Sequence, residues 1–444
     1  MTEELNSDET NGLNLLKQLE HILESDTLID EVGFIHPSQF AALNDGSSDD
    51  SQYDSTVFWN KDNKLAISTD ALFPLYNAAK HTFMTTMKLY KILISSPGEA
   101  DTNLDGMVTG TISVSGESLE TEVMKHSKAL LLLSWDFGTA WNSRKLVVLK
   151  KQQFLLFMDE LLLSALILSY SPKSEHAWSH RRWVIKRIDG KCPNFQDLVE
   201  RESELVEKIA EGKGNISLLL TAFSVEFLQK SKMNYRAWSH RCWLIAYMTK
   251  EQVRNELNKS RKWAELHVGD NSCFDYRQHL LHRMLEHSYS KLDPSGSSYC
   301  TPDVYHFWME ELDWNEMLIK RYIGRESLWV HRRFLSQFGL KHFCFTDGSW
   351  YPCGVDIDNF VRGEFQLFQS CLTISDTGFE DGQAQGLFAA AYILRVSKQL
   401  LNSGAIELQE KLRDLGALKT ALNQLCPEKT LLWNDLIGGV NNNL

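Results

Sequence analysis

The chain has 444 residues, 43% hydrophobic and 11% aromatic, with a formal net charge of −12. That composition excludes wholesale disorder. It also argues against broad nucleic-acid binding, which depends on Lys and Arg neutralising phosphates, so no nucleic-acid partner is expected.

The opening MTEELNSDET is acidic and lacks the basic and apolar regions of a secretory signal, so a cytoplasmic location is expected. LNLLKQLEHIL has its apolar residues at helical spacing and runs into LIDEVGFIH, predicting a short helix and then an extended segment within 11–35. Residues 44–55 carry loop chemistry, 71–95 read as a helix, and 96–118 form a second polar loop. Residues 1–118 are therefore expected to be an extension of helices and polar loops.

From residue 119 helical patterns follow closely, at 119–134, 139–150, 154–171 and 177–187, joined by short turns. The most apolar stretch, 154–170, contains Asp159 and Glu160 and falls short of the roughly 20 apolar residues that a membrane span needs. It reads as a buried helix, and no membrane span is expected. Insertions fall at 188–196, 211–215 and 287–302, and 339–358 looks irregular. A helix at 383–401 closes a repeat region of 119–402, and a further helix at 406–425 and a polar tail make up 403–444.

Across the repeat region one signature recurs: AWNSR with Trp141 and Arg144, AWSHR with Trp178 and Arg181, AWSHR with Trp238 and Arg241, and LWVHR with Trp329 and Arg332. In CFDYR, Phe274 takes the tryptophan place before Arg277. Steps of 37, 60, 36 and 55 residues between the anchor aromatics mark a helical repeat with two insertions. The expected fold is all-α, a solenoid of about five helical hairpins, each burying its apolar face against its neighbours.

Aromatic and arginine three residues apart share a helix face. The arginine fork suits exposed carbonyls at a helix C-terminus in an adjacent repeat, which makes the pair a candidate inter-repeat clamp. His180, His240 and His331 precede the arginines at one fixed offset and read as structural parts of the repeat. Eight cysteines without paired spacing point to reduced thiols. Cys344 and Cys353 near His342 lack a second ligand pair, so no metal site is expected.

W-x-x-R on a period near 36 residues, with MNYRAWSHRCW at 233–243, resembles the α subunits of protein prenyltransferases. The resemblance spans about 124–395. Within the family, LIDEVGFIH, DFGTAWNSRK and RKWAELHVGDNSCFDYRQHLL resemble a branch that transfers geranylgeranyl groups. It implies a right-handed superhelical crescent wrapped around a separate β subunit that carries the catalytic zinc, and hence no cofactor in this chain. The implied partners are that β subunit, expected to be the one of Rab geranylgeranyltransferase, a prenyl diphosphate, and a substrate protein that already carries one lipid.

The resemblance places Lys173, five residues before the second-repeat tryptophan, against the diphosphate as the catalytic lysine. It sets His176, Asn234, Tyr235 and Arg236 near diphosphate and substrate. Without it, Lys173 reads as a solvated loop residue and Tyr235 equally well as packing at a turn. In farnesyltransferase and type I geranylgeranyltransferase the residues after that lysine are asparagine, tyrosine and glutamine. Here they are Ser174, Glu175 and His176, and Glu175 would repel a C-terminal peptide carboxylate. Two alternatives stand beside the enzymatic reading: a non-enzymatic repeat scaffold that binds protein partners, and the α subunit shared by farnesyltransferase and type I geranylgeranyltransferase.

Overall fold

The computed structural model describes residues 2–44, 57–95, 116–210, 234–289, 302–344, 357–373, 380–402 and 430–431. The chain divides into two compact units, Met1–Arg241 and Cys242–Leu444. The helix expected at 406–425, Cys353, and the insertion at 211–215 lie outside the described residues.

The first unit opens with α1 (Thr2–Ser25), longer than the helix legible in sequence, and β1 (Glu31–Ile35), where an extended segment was expected. After α2 (Pro37–Asn44) come β2 (Phe58–Lys61) and β3 (Lys64–Ser68). The three strands form a sheet in the order β1-β3-β2, with β1 parallel and β2 antiparallel to β3. Asp62 and Asn63, at φ 53° and 61°, make the tight turn between β2 and β3, where a right-handed strand twist calls for left-handed residues. Phe34 of β1 meets the ring of Tyr170 edge-on, with centroids 5.6 Å apart.

Next come α3 (Leu72–Ser95), α4 (Gly116–Leu133), α5 (Gly138–Lys151), α6 (Phe154–Tyr170), α7 (Glu175–Ile188) and α8 (Phe195–Ala210). Helices α4 and α5 pair as one hairpin and α6 and α7 as the next, with α4 packed on α6 and α5 on α7. The turns have clear local causes. Gln152 ends α5 in the left-handed conformation, and the Ser174 hydroxyl accepts from the Ala177 amide at 3.3 Å to cap α7. Helix α9 (Tyr235–Leu244) begins in this unit, and Asn234 caps it.

The second unit contains α10 (Lys250–Leu266), α11 (Asn271–Tyr289), α12 (Pro302–Arg321), α13 (Glu326–Gly339), α14 (Ile357–Thr373) and α15 (Glu380–Asn402). Pairs α10–α11, α12–α13 and α14–α15 are hairpins, and α11, α13 and α15 stack in sequence. Thr249 and Gln252 start α10 with a reciprocal capping box. Gly324, at φ 74°, turns the chain from α12 to α13, where a Cβ would lie 2.9 Å from the Asp381 carbonyl oxygen. Both units are thus built of stacked helical hairpins, the all-α class expected, with one small sheet added near the N-terminus.

Candidate functional site

The anchor residues Trp141, Arg144, Trp178, Arg181, Trp238, Arg241, Phe274, Arg277, Trp329 and Arg332 are all buried. In α5, Arg144 Nη1 donates to the Met124 carbonyl at 2.6 Å and to Ser127 Oγ at 2.9 Å, both on α4. Its Nε and Nη2 donate to the Glu160 carboxylate of the next hairpin, the shortest at 2.5 Å. Arg181 repeats the arrangement with the Leu161 carbonyl (2.6 Å), Ser164 Oγ (3.0 Å) and Glu202 (2.5 and 2.6 Å).

In the second unit Arg277 holds the Leu257 carbonyl (2.5 Å), Ser260 Oγ (2.8 Å) and Glu311. Arg332 holds the Leu312 carbonyl and Glu364, each at 2.6 Å. Arg241 lies over its own Trp238 ring at 5.2 Å, with Glu207 3.7 Å away. The arginine fork therefore does not take helix C-terminal carbonyls of an adjacent repeat, as its donor geometry suggests from sequence. In Arg144, Arg181, Arg277 and Arg332 it takes a mid-helix carbonyl of its own hairpin and a carboxylate of the next. Turn amides already use the terminal carbonyls, as Ser171 N does that of Ile167, and a carboxylate is the better bidentate partner for a buried guanidinium.

Glu160, Glu202 and Glu311 are each also bound by a histidine of the helix that follows. His180 Nε2 lies 2.7 Å from Glu160, His240 Nε2 2.8 Å from Glu202, and His331 Nε2 2.9 Å from Glu311. The same imidazoles pack on the aromatic of the preceding repeat: Trp141 on His180 at 4.6 Å, Trp178 on His240 at 4.8 Å, and Phe274 on His331 at 5.1 Å. In the fourth repeat Tyr276 replaces the histidine and donates to Glu256 at 2.7 Å.

Burial alone would raise the carboxyls of Glu160 and Glu202. Their arginine and histidine partners overcome it and hold both down to about 2. Burial lowers the three histidines, outweighing the attraction of their glutamates, so the imidazoles are neutral. A neutral imidazole bonded through Nε2 to a carboxylate carries its proton there. These buried groups hold the hairpins together through the arginine–glutamate–histidine contacts.

The turns differ. Lys173, between α6 and α7, is exposed and has no ion-pair or hydrogen-bond partner among the described residues. The carbonyl of Pro172 beside it accepts from Trp178 Nε1 at 3.0 Å and from Asn234 Nδ2 at 2.7 Å. Asn234 is fully buried, and its Oδ1 accepts from the Arg236 and Ala237 amides at 3.2 and 3.3 Å. One side chain thus caps α9 and fixes the lysine turn against the next turn. Tyr235 is 74% exposed, Arg236 forms an ion pair with Glu175, and Arg182 Nη2 lies 3.2 Å from the same carboxylate. His176 stands apart from this cluster, with Nδ1 3.6 Å from Asp136. Arg182 and Arg236 thus share the Glu175 carboxylate, and Lys173 pairs with no acid among the described residues.

Sequence reasoning missed the glutamates. Their signal is a spacing: Glu160, Glu256 and Glu311 each lie 18 residues before Trp178, Phe274 and Trp329, in ELLLS, ELNKS and ELDWN. The last residue of each pentapeptide is Ser164, Ser260 or Asn315, one helical turn after the glutamate. Among the described residues no helix is long and apolar enough to cross a membrane.

The protein prenyltransferase alpha subunit repeat matches residues 157–188, 253–284 and 308–338. Each matched segment contains one of these glutamates together with its aromatic and arginine. The chain is 33% identical over 235 residues to protein prenyltransferase alpha subunit repeat-containing protein 1 of Danio rerio, covering 47% of this chain and 52% of that protein. It is 32% identical over 270 residues to the Homo sapiens protein of the same name, covering 53% and 63%. Geranylgeranyl transferase type-2 subunit alpha of Sus scrofa is 23% identical over 224 residues, covering 50% and 32%. The chain thus spans about half the length of the curated relatives it matches. It carries three matches to the protein prenyltransferase alpha subunit repeat, each with its buried arginine–glutamate residues, and is similar to these relatives over about half of its length.

Proposed function

We propose that this chain is the α subunit of a heterodimeric, cytoplasmic protein prenyltransferase and supports geranylgeranyl transfer from geranylgeranyl diphosphate to a substrate cysteine. The observation that carries the reading is Lys173: an exposed, unneutralised ammonium on a turn held rigidly by Asn234 through the Pro172 carbonyl. As the carbon–oxygen bond to diphosphate breaks and the carbon–sulfur bond forms, negative charge grows on the leaving group. A preorganised cation stabilises that charge without reorganising. The thiol proton leaves to solvent, and zinc on the β subunit would hold the thiolate.

Tyr235 offers an exposed hydroxyl and Arg236 a second cation beside the diphosphate, with His176 at the substrate margin. The name of the Sus scrofa relative supports a geranylgeranyl donor, and the β subunit of Rab geranylgeranyltransferase is the partner proposed. Because Arg182 and Arg236 both engage Glu175, its charge does not stand unopposed, and repulsion by Glu175 is a weak argument against a substrate carboxylate. A substrate already lipidated once remains the reading the resemblance favours.

Co-expression with that β subunit and labelled geranylgeranyl diphosphate tests the proposal. The expected outcome is a stable heterodimer that labels protein. Absence of both copurification and transfer overturns it in favour of a repeat scaffold. Lys173→Ala should slow transfer by about ten- to a hundredfold with the heterodimer intact, and unchanged turnover would remove the lysine from the mechanism.

A further inference from the structure

Among the described residues, Cys242, Asp275 and His279 offer one sulfur, one oxygen and one nitrogen donor, all within 4.8 Å of one another. Cys242 lies in the last turn of α9, and Asp275 and His279 lie one turn apart on α11. Cys242 Sγ is 4.0 Å from Asp275 Oδ2, and His279 Nδ1 is 3.8 Å from the same oxygen. With zinc–sulfur bonds of about 2.3 Å and zinc–oxygen or –nitrogen bonds of about 2.0–2.1 Å, tetrahedral ligands sit roughly 3.3–3.6 Å apart. Closing the group onto an ion therefore takes shifts of a few tenths of an ångström at the two pairs that include Asp275 and of up to about an ångström between Cys242 and His279.

A surface Asp–His pair one turn apart is by itself an ordinary helix contact. What sets this group apart is the thiol brought onto it from another helix, a soft donor that selects zinc-class ions over calcium or magnesium. Packing does not demand these residues. At the place of Cys242 the other repeats carry Lys145, Arg182, Gln278 and Arg333, and at the place of His279 they carry Leu146, Trp183, Trp243 and Phe334.

We infer that Cys242, Asp275 and His279 form a three-ligand site for a zinc-class divalent cation, with water in the fourth position. Asp275 and His279 are exposed, which leaves that position open to solvent. Binding converts the thiol to a thiolate, its proton passing to solvent, and ties Cys242 to α11. His279 Nδ1 lies 2.9 Å from the Asp275 carbonyl oxygen, and giving up that local bond moderates the affinity.

Cobalt(II) titration of the purified full-length chain tests the site. One equivalent should produce a near-ultraviolet thiolate-to-cobalt charge-transfer band that zinc abolishes by displacement. Cys242→Ser should remove the band, and Asp275→Asn and His279→Gln should each weaken binding at least about tenfold. Cys192→Ser, at a thiol outside the group, should leave it unchanged. No band in the unaltered chain, an equal band in Cys242→Ser, or unaltered affinity in both other variants overturns the assignment. The measurement needs neither β subunit nor prenyl donor, so its failure would not be confused with failure of the transfer proposal.

Discussion

The interior of the hairpins and the turns at their ends use the same residue types to opposite ends. Inside, Arg144 and Arg181 are buried, and each is saturated by a carbonyl, a hydroxyl and a carboxylate. At the turn, Lys173 is exposed and pairs with none of the described residues, and Arg236 and Arg182 share one exposed carboxylate. A cation with every donor satisfied holds structure together, and a cation left incomplete is available to a ligand. Burial and saturation, more than residue identity, distinguish the anchor arginines from the cations of the turn.

The strongest way to break that distinction is to remove a shared carboxylate. Glu160→Gln leaves Arg144 buried without its counter-ion and loosens His180, so unfolding in urea should show a loss of about 3–5 kcal/mol. A loss under about 1 kcal/mol would mean that the pairs are ornamental.

Acid titration sharpens the same point. The three imidazoles have folded values lowered below the ordinary 6.5, so below that pH the unfolded chain binds protons that the folded chain refuses. Stability should be full above 6.5 and decline as pH falls through it. Glu160 and Glu202, held at about 2 against an ordinary 4.5, should add a second decline below 4.5. A flat urea midpoint between about pH 7 and 5 would show that the imidazoles take up protons in the fold as readily as in the unfolded chain, and one that rises as pH falls that they are protonated in the fold.

A smaller effect is expected from Trp178→Phe. It keeps the ring but deletes the bond to the Pro172 carbonyl, and should cost about 1 kcal/mol. Phe274 is the natural counterpart: the Val268 carbonyl, at the equivalent place, accepts from the Ser327 hydroxyl instead of an indole. If Trp178→Phe costs as much as Glu160→Gln, the turn bond is worth more than the geometry implies. Smallest of all on stability, Lys173→Ala should leave the thermal midpoint unchanged while transfer falls. A marked drop in the midpoint would move the lysine to the scaffold side.

The anchors were legible because Trp178, Trp238 and Trp329 carry an arginine at one fixed offset, and periodicity survives insertion. Their partners were not, because the third repeat hides the rule: Glu202 stands 36 residues before Trp238 instead of 18. Glu160 was legible only as a charge that argues against a membrane span, since a lone carboxylate in FLLFMDELLLS gives no hint of two basic partners 16 residues before it and 20 after it. The sheet escaped for a different reason. Strands of four or five residues whose parallel pairing joins Val32 to Leu65 have no local signature. At the turn, Lys173 was visible only through the resemblance, and the bracing role of Asn234 needs the folded neighbour to be seen.

The shared carboxylates also set a rule for growth. Each complete internal hairpin brings one carboxylate, one guanidinium and one neutral imidazole or phenol, so adding or deleting a copy leaves the core electrically balanced. The ends are closed by phenols, with Tyr90 donating to Glu120 at 3.4 Å and Tyr392 to Glu364 at 2.7 Å. Repeat number is thereby released from electrostatics, and duplication can lengthen or shorten the array until its row of turns matches whatever surface they must meet.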